Sequence, residues 1–256
     1  MAANKSVEKT LRILELIAKC PEGITLAEIY KQLKLPKATV FDILQALYKE
    51  DAIYYKDQSL KTYVIGSKIF TIGQAYTKNS NFINFASMGL RDFANKYELT
   101  VFAAKRLGEK VIYIYKYESP KTKIITNDIG VQIPLHLNAA GRAFLAFLDE
   151  TKSNNLLAEI REKAFDGEDD PEYQRLLADI KRYRELGYVI DDGETEGYIR
   201  HYALPVYNFE NKVTGVICAS GLMNGYNKDE IVDQIKEFKE VAEYVSSKQG
   251  YKKPRL

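Results

Sequence analysis

The sequence predicts an α+β protein in two parts: a small helical unit with a β-hairpin, then an antiparallel sheet with helices on its faces. Three observations predict it. Residues 24–48, ITLAEIYKQLKLPKATVFDILQALY, carry apolar positions at helical spacing on both sides of a break at Lys34-Leu35-Pro36. TVFAAKRLG and EKVIYIYKYE alternate as strands around Gly108-Glu109. Helical patterns at 151–163, 171–186 and 228–247 are interspersed with further strand-like runs, an order that suits an antiparallel sheet covered by helices.

The first helix is expected over residues 5–19, with Val7, Leu11, Leu14 and Ala18 on one face, Asn4 or Ser6 as its cap, and Pro21 and Gly23 ending it. Leu26, Ile29, Tyr30 and Leu33 form the apolar face of a second helix; Val40, Ile43, Leu44 and Leu47 form that of a third. Thr25 can cap the second by accepting from a free backbone N–H, and Glu28 three residues on completes a capping box. Pro36 suits the first turn of the third, where its missing N–H breaks no bond and its φ is already helical. Two short helices across a tight turn read as a helix-turn-helix. β-prone runs at 53–56 and 62–65 around Asp57-Gln58-Ser59 make a wing, with Lys56 and Lys61 flanking its tip, within reach of phosphate oxygens.

Helical pattern resumes over 67–97 and is interrupted near Lys78-Asn79-Ser80-Asn81, so a boundary is placed near residue 80: a first domain over 1–66, a linker helix over 67–80 and a second domain over 81–256. In the second domain, KTKIIT is expected as a third strand, a helix over 141–148 follows, and Gly187 ends the helix of 171–186. Strands at 200–207 and 213–219 flank a turn at Glu210-Asn211-Lys212. Tyr113, Tyr115 and Tyr117 fall at period two, which puts them on one face, packed under a helix or at a subunit interface.

The chain has 256 residues, 46% of them hydrophobic, enough for two folded cores. Its net charge of +2 is unevenly held: residues 1–77 carry 11 Lys and Arg against 8 Asp and Glu, a small surplus on the helix-turn-helix side. Cys20 and Cys218 are too few for a disulfide framework and fit a reducing cytoplasm as apolar filler. MAANKSVEK lacks the apolar core of a leader, and no apolar run is long enough for a bilayer, so the expected location is cytoplasmic and not membrane-bound.

With these residues laid out, the chain resembles an IclR-family transcriptional regulator from about Ser6 to about Ser247. The resemblance rests on SVEKTLRILELIA, LPKATVFDILQAL and YVIGSKI in the first part, and on GVQIPLHLNAAGRAFLA and LGYVIDDGETEGYIRHYALPVYN with VTGVICASG in the second. It implies a winged helix-turn-helix joined by a linker helix to a GAF-like effector-binding domain. The implied partners are double-stranded operator DNA, a small-molecule effector and further copies of the chain, as dimer or tetramer; no cofactor is implied.

On the recognition helix the candidates for DNA contact are Lys37, Ala38, Thr39, Phe41, Asp42 and Gln45, joined by Lys56 and Lys61 of the wing. Lys37 sits where charge and helix N-terminus both favour phosphate. Asp42 stands where the family commonly has an arginine; it can accept from a cytosine amino group or pair with a neighbouring lysine. Carried over residue by residue, the effector pocket falls on Ala139, Ala140, Asp191, His201, Cys218 and Ser220, with Thr122 and Ile125 as a wall. Free N–H groups from Ala139 to Arg142 would receive a carboxylate. His201, where the family often has cysteine, implies a ligand other than glyoxylate or pyruvate: a small carboxylate, a keto or sugar acid, or an aromatic metabolite.

Two other readings carry less weight. Cys218, His201 and Asp191 have the residue types of a Cys-His-Asp enzyme, though Cys218 lies in an alternating strand that makes it equally a packer. A sensor that lost DNA binding through Asp42 is the other. His136 and His201 make a poor metal site without a clear third ligand at metal spacing, although Asp191 could serve, and His136 reads as a structural histidine. The acidic run from Asp191 to Glu196 lacks a calcium-loop pattern and reads as a solvated turn with Asp191 facing the pocket.

Overall fold

Helices α1 (Lys5–Ala18), α2 (Leu26–Leu33) and α3 (Lys37–Lys49) build the start of the chain in a computed structural model that describes residues 5–122, 124, 127–193, 197–223 and 228–252. The capping box forms: Thr25 N donates to Glu28 Oε2 at 2.8 Å and Glu28 N donates to Thr25 Oγ1 at 3.3 Å. Lys34 then takes a left-handed φ of 53°, which reverses the chain sharply. Pro36 is extended, with ψ 134°, and stands at the N-cap of α3, one residue before the first turn expected for it.

The buried face of α1 differs from expectation. Ile13 and Ile17 are buried, whereas Val7 and Leu11 are more than half exposed. The helix carries two apolar stripes, and the one that meets Ile29, Val40, Leu44 and Tyr63 in the core is the isoleucine stripe. The wing pairs β2 (Ile53–Asp57) with β3 (Thr62–Ile65), and an unanticipated β1 (Ile24–Thr25) adds a third strand, with Ile24 opposite Tyr63. Gly66 follows, where any Cβ would stand 2.2 Å from the Asp51 carbonyl oxygen. That contact is the physical reason for glycine in YVIG. Helix α4 (Ser67–Asn79) closes this unit, which the chain leaves between Asn79 and Ser80.

The second unit opens with α5 (Asn81–Tyr97), capped by the Ser80 hydroxyl. Strands β4 (Thr100–Leu107), β5 (Lys110–Glu118) and β6 (Gln132–Pro134) precede α6 (Ala139–Phe147), α7 (Glu150–Ala164) and α8 (Pro171–Leu186); β7 (Val189–Asp192), β8 (Ile199–Tyr207), β9 (Val213–Leu222) and α9 (Lys228–Lys248) complete it. The six strands pair antiparallel in the order β6-β5-β4-β9-β8-β7. The central strands are apolar on both faces, so the sheet separates two cores. Phe102, Ala203, Val216 and Cys218 pack under α6, α7 and α8. Val101, Leu204, Ile217 and Ala219 pack under α5 and α9.

KTKIIT is not the sheet's third strand. Lys121 lies in a turn, Thr122 N donates back to Ser119 O at 2.9 Å, and Ile124 is outside any strand, while Lys123, Ile125 and Thr126 lie outside the described residues. The sheet edge is taken by β6, and β7 is a second strand the sequence did not announce. The tyrosine row is split as well. The register of β4 on β5 shifts between Ala103 and Ala104, so Ala103 faces Tyr115 and Ala104 faces Tyr113. This bulge turns Tyr113 toward Phe102 and the α6 side, with ring centroids 4.7 Å apart, and leaves Tyr115 and Tyr117 on the α5 side. Among the described residues, no helix is long and apolar enough to cross a membrane.

Candidate DNA-reading surface and ligand site

Burying Val40, Ile43 and Leu44 turns the other side of α3 outward, and Lys37, Ala38, Phe41, Asp42 and Gln45 are all exposed there. Thr39 is half-buried, set back toward the core. Lys49, one turn beyond Gln45, continues the exposed stripe; its i+4 spacing is a signal the sequence reading passed over. Asp42 forms no ion pair or hydrogen bond among the described residues, so the pairing with a neighbouring lysine is absent.

The two wing lysines part company. Lys56 Nζ donates to Glu22 Oε2 at 2.8 Å and to Pro21 O at 3.1 Å, an exposed pair that ties the wing to the α1–β1 turn. The Lys56 ammonium in turn holds the Glu22 carboxyl below its usual range. Lys61 is exposed at the tip with φ 50°. The tip is fixed by Asp57 Oδ1, which accepts from Ser59 N at 2.7 Å and Leu60 N at 2.9 Å. Three tyrosines packed ring against tilted ring connect wing to helix: Tyr48 of α3 and Tyr55 have ring centroids 4.9 Å apart, Tyr55 and Tyr63 4.8 Å, and the last two share a hydroxyl contact of 3.2 Å. Burial and that neighbour push the Tyr63 phenol upward, so it stays neutral. Recognition helix and wing are thus braced as one body.

In the second unit the pairing of four strands places Asp191, His201, Ser220 and Thr100 as successive register partners, in one row across β7, β8, β9 and β4. His201 Nδ1 and Ser220 Oγ are 2.8 Å apart, and Thr100 Oγ1 lies 3.4 Å from Thr122 Oγ1. Asp191, Ser220 and Thr100 are buried, and His201 is half-buried. One step along the same face the row gives way to Cys218, Ala203 and Phe102, and to the buried Ala139 and Ala140 of α6. A polar row at the edge of an apolar core is the arrangement of a small-molecule site, in which few polar groups set orientation. Thr100 belongs to the row although sequence reasoning missed it: its partner Ser220 is 120 residues away. Ile125, Glu194 and Glu196 lie outside the described residues.

The start of α6 is more occupied than expected. Asn138 Oδ1 accepts from Gly141 N at 2.7 Å and Asn138 O from Arg142 N at 2.9 Å, so the amides of Ala139 and Ala140 are the ones left for a ligand. Gly141 is required there, because a Cβ would meet Leu135 O at 2.2 Å.

Burial pushes the Cys218 thiol well up, and the His201 ring is turned to Ser220, which is not the geometry of an activated Cys-His pair. His136 is apart from this row. It packs edge-on against Phe165 at 5.5 Å, its Nδ1 is buried without a partner, and burial with the nearby Arg142 lowers its pKa. Asp192 pairs with Arg200 and is half exposed, whereas Asp191 faces the row. Among the described residues no three His, Cys, Asp or Glu side chains converge as metal ligands would.

Comparison with known proteins bears on both halves. Residues 6–57 match the model of the IclR helix-turn-helix domain, and residues 74–247 match that of the bacterial transcriptional regulator IclR C-terminal domain. The chain is 27% identical over 248 residues to the HTH-type transcriptional repressor AllR of Escherichia coli K12, covering 97% of this chain and 91% of that one. It is 26% identical over 251 residues to the HTH-type transcriptional regulator XynR of the same strain, covering 98% and 99%. The solved structure of an IclR transcriptional regulator from Alicyclobacillus acidocaldarius superposes with a TM-score of 0.83 at 28% identity, covering 97% of this chain and all of that one.

Proposed function

The chain belongs to the IclR family of bacterial transcriptional regulators, and on that premise we propose that α3 and the wing tip read operator DNA while a small organic acid, bound at the polar row, changes that reading. The observation that carries the ligand half is the row itself: Asp191, His201, Ser220 and Thr100 in register beside two unengaged helix amides, on a sheet face otherwise apolar. A ligand carboxylate accepts from the Ala139 and Ala140 amides and from Ser220, a hydroxyl of the same ligand donates to Asp191, and its body rests on Cys218 and the Thr122 side. A hydroxy or sugar acid meets both demands. His201 fills the space and, through Ser220, aims the hydroxyl.

On the DNA side, Lys37 contacts phosphate at the N-terminus of α3, Phe41 and Ala38 lie against thymine methyls or sugar, and Gln45 and the unpaired Asp42 face base edges. Lys61 reaches a phosphate from the wing. A palindromic operator requires two recognition helices, so the acting species is a dimer or a pair of dimers. Residues 67–80 serve as the linker, and coupling follows if the ligand favours one arrangement of that linker over another. The site is a sensor and not an enzyme, a reading supported by the high thiol pKa of Cys218 and the Ser220-directed imidazole. Its location is the cytoplasm, where operator DNA is.

The test is fluorescence anisotropy of labelled DNA from the region upstream of the gene, across salt, with a panel of hydroxy, keto, sugar and aromatic acids. A salt-dependent, sequence-selective complex that one acid shifts in the wild type but not in Ser220→Ala supports the whole reading. An acid response unchanged in Ser220→Ala overturns the site, and equal affinity for random DNA overturns the operator reading.

A further inference from the structure

Two aspartates stand in succession at the end of β7, and only one of them can face the polar row, because neighbours on a strand point to opposite faces of the sheet. Asp191 pairs in register with His201 on the α6 side; Asp192 pairs with Arg200 on the α9 side. The packing sets the faces: Val189 and Ala203 lie in the α6-side core, Ile190 and Tyr202 in the α9-side core. Asp191 is fully buried. A buried carboxylate gains by returning to water, and its strand is poorly placed to prevent that. β7 has four residues, lies at the edge of the sheet with β8 as its one neighbour there, and is followed by Gly193 at φ 76°.

Arg200 supplies the missing hold. Its side chain is 10% exposed and donates through Nε to Asp192 Oδ1, its one carboxylate partner among the described residues. Inward it has no room: Gly221, its register partner on β9, is covered by Leu99, whose Cδ2 lies 2.2 Å from where a Cβ would stand. On its own strand the next residue of that face is Tyr202, whose hydroxyl donates to Gln234 Oε1 of α9 at 3.1 Å. The guanidinium is therefore seated among packed neighbours and turned to β7. Exposed ion pairs contribute little because both side chains lose freedom on pairing, but this cation is already fixed by burial, and its Nη1 has no partner. Breaking the pair leaves a buried charge uncompensated and frees the end of β7.

We propose that Arg200 is a positioning residue of the effector site: by holding Asp192 on the far side of the sheet it keeps Asp191 in the row, and so sets the preference for acids that carry a hydroxyl. This rests on the effector reading above, in which Ser220 and the α6 amides take the carboxylate and Asp191 takes the hydroxyl. Arg200 touches no ligand. Its removal separates the two demands: carboxylate binding persists and hydroxyl recognition is lost.

The test is calorimetric titration of the full chain with two pairs of probes that differ only in hydroxyls, gluconate against hexanoate and lactate against propionate. In the wild type at least one hydroxylated acid should bind about tenfold or more tighter than its plain analogue, the worth of a hydrogen bond to a charged group. That ratio should fall towards one in Arg200→Leu and in Asp192→Asn, as in Asp191→Ala, while the plain acid binds as before. The Asp192 side chain is half exposed, so its Asn variant folds even where the Arg200 variant does not. A ratio kept in Asp192→Asn, with Ser220→Ala still abolishing binding, overturns this inference alone. Equal weakening of both acids reduces the pair to a general brace and overturns it too. A wild type without hydroxyl preference, or binding indifferent to Ser220→Ala, overturns the effector reading and the inference with it.

Discussion

Replacing Gly141 by alanine isolates what the seating of α6 contributes to the proposed ligand site. A Cβ there would lie 2.2 Å from Leu135 O, 2.5 Å from Leu135 Cα and 2.6 Å from its carbonyl carbon, against an ordinary contact of 3.4 Å or more. All three are backbone atoms, so relief requires helix and Leu135–Leu137 turn to separate by about 1 Å. That separation strains two bonds: Gly141 N to Asn138 Oδ1 at 2.7 Å and Arg142 Nε to His136 O at 3.1 Å. Overpacking of this kind costs about 1–3 kcal/mol and a lost cap about 1 kcal/mol, offset by the 0.5–1 kcal/mol that alanine gains over glycine in a helix. The net is a loss of about 1–3.5 kcal/mol, which at roughly 2–4 °C per kcal/mol lowers the melting temperature of a domain this size by about 2–14 °C. The Ala139 and Ala140 amides move with the helix, so acid-induced change in DNA binding should fall as well. Differential scanning calorimetry and the anisotropy titration read both effects. Gly73→Ala in α4, where a Cβ meets nothing within 4 Å, is the control and should be neutral or slightly stabilising. A Gly141→Ala protein that melts within a degree of wild type and keeps its acid response would refute the reasoning.

Thr25→Ala removes both hydroxyl bonds of the α2 capping box and should cost the N-terminal unit about 1 kcal/mol, visible as a lower denaturation midpoint. Lys37→Ala should weaken DNA binding similarly on all sequences and reduce the slope of log affinity against log salt by about one; a change confined to one operator position would contradict a phosphate contact. His136 is held neutral, its pKa lowered from 6.5 first by burial and then by Arg142. The unfolded chain therefore takes up a proton below about pH 6.5 that the native state refuses, and stability attributable to this group is intact above that pH and declines below it. His136→Asn should flatten that part of the difference between melting temperatures at pH 7.5 and pH 5.5. With a thiol reagent at pH 8, partly exposed Cys20 should react and Cys218 only on unfolding; rapid modification of both would revive a reactive role for Cys218.

What could be read from the sequence was what is local. Thr25 and Glu28 sit three residues apart, and Gly187, with φ 75°, ends α8 by its own conformation. α1 was legible as a helix, but its two apolar stripes left the buried one to be chosen by β3 and α3, far along the chain. The bulge that splits Tyr113 from Tyr115 is one extra residue against β4, and alternation alone cannot announce it. β7 is four residues, VIDD, half of them acidic, and it is a strand only because β8 offers it an edge. The proposed ligand row shows the same division. The resemblance pointed to His201 and Ser220; it did not point to Thr100, since nothing near it in sequence marks a pairing with Ser220. The pairing of Lys56 with Glu22, 34 residues earlier, is likewise a contact that no local pattern announces.

The strand order also bears on how the chain is born. β4 sits between β5, its immediate successor, and β9, which ends at Leu222. At roughly 5–20 residues per second on a ribosome, β4 and β5 wait several seconds or more with one long apolar edge uncovered before β9 emerges. The winged unit is complete by Asn79 and needs no later strand. A nascent or truncated chain therefore carries a finished DNA reader while the sensing half still offers a sticky sheet edge, so premature termination should yield aggregation before it yields an unregulated DNA binder.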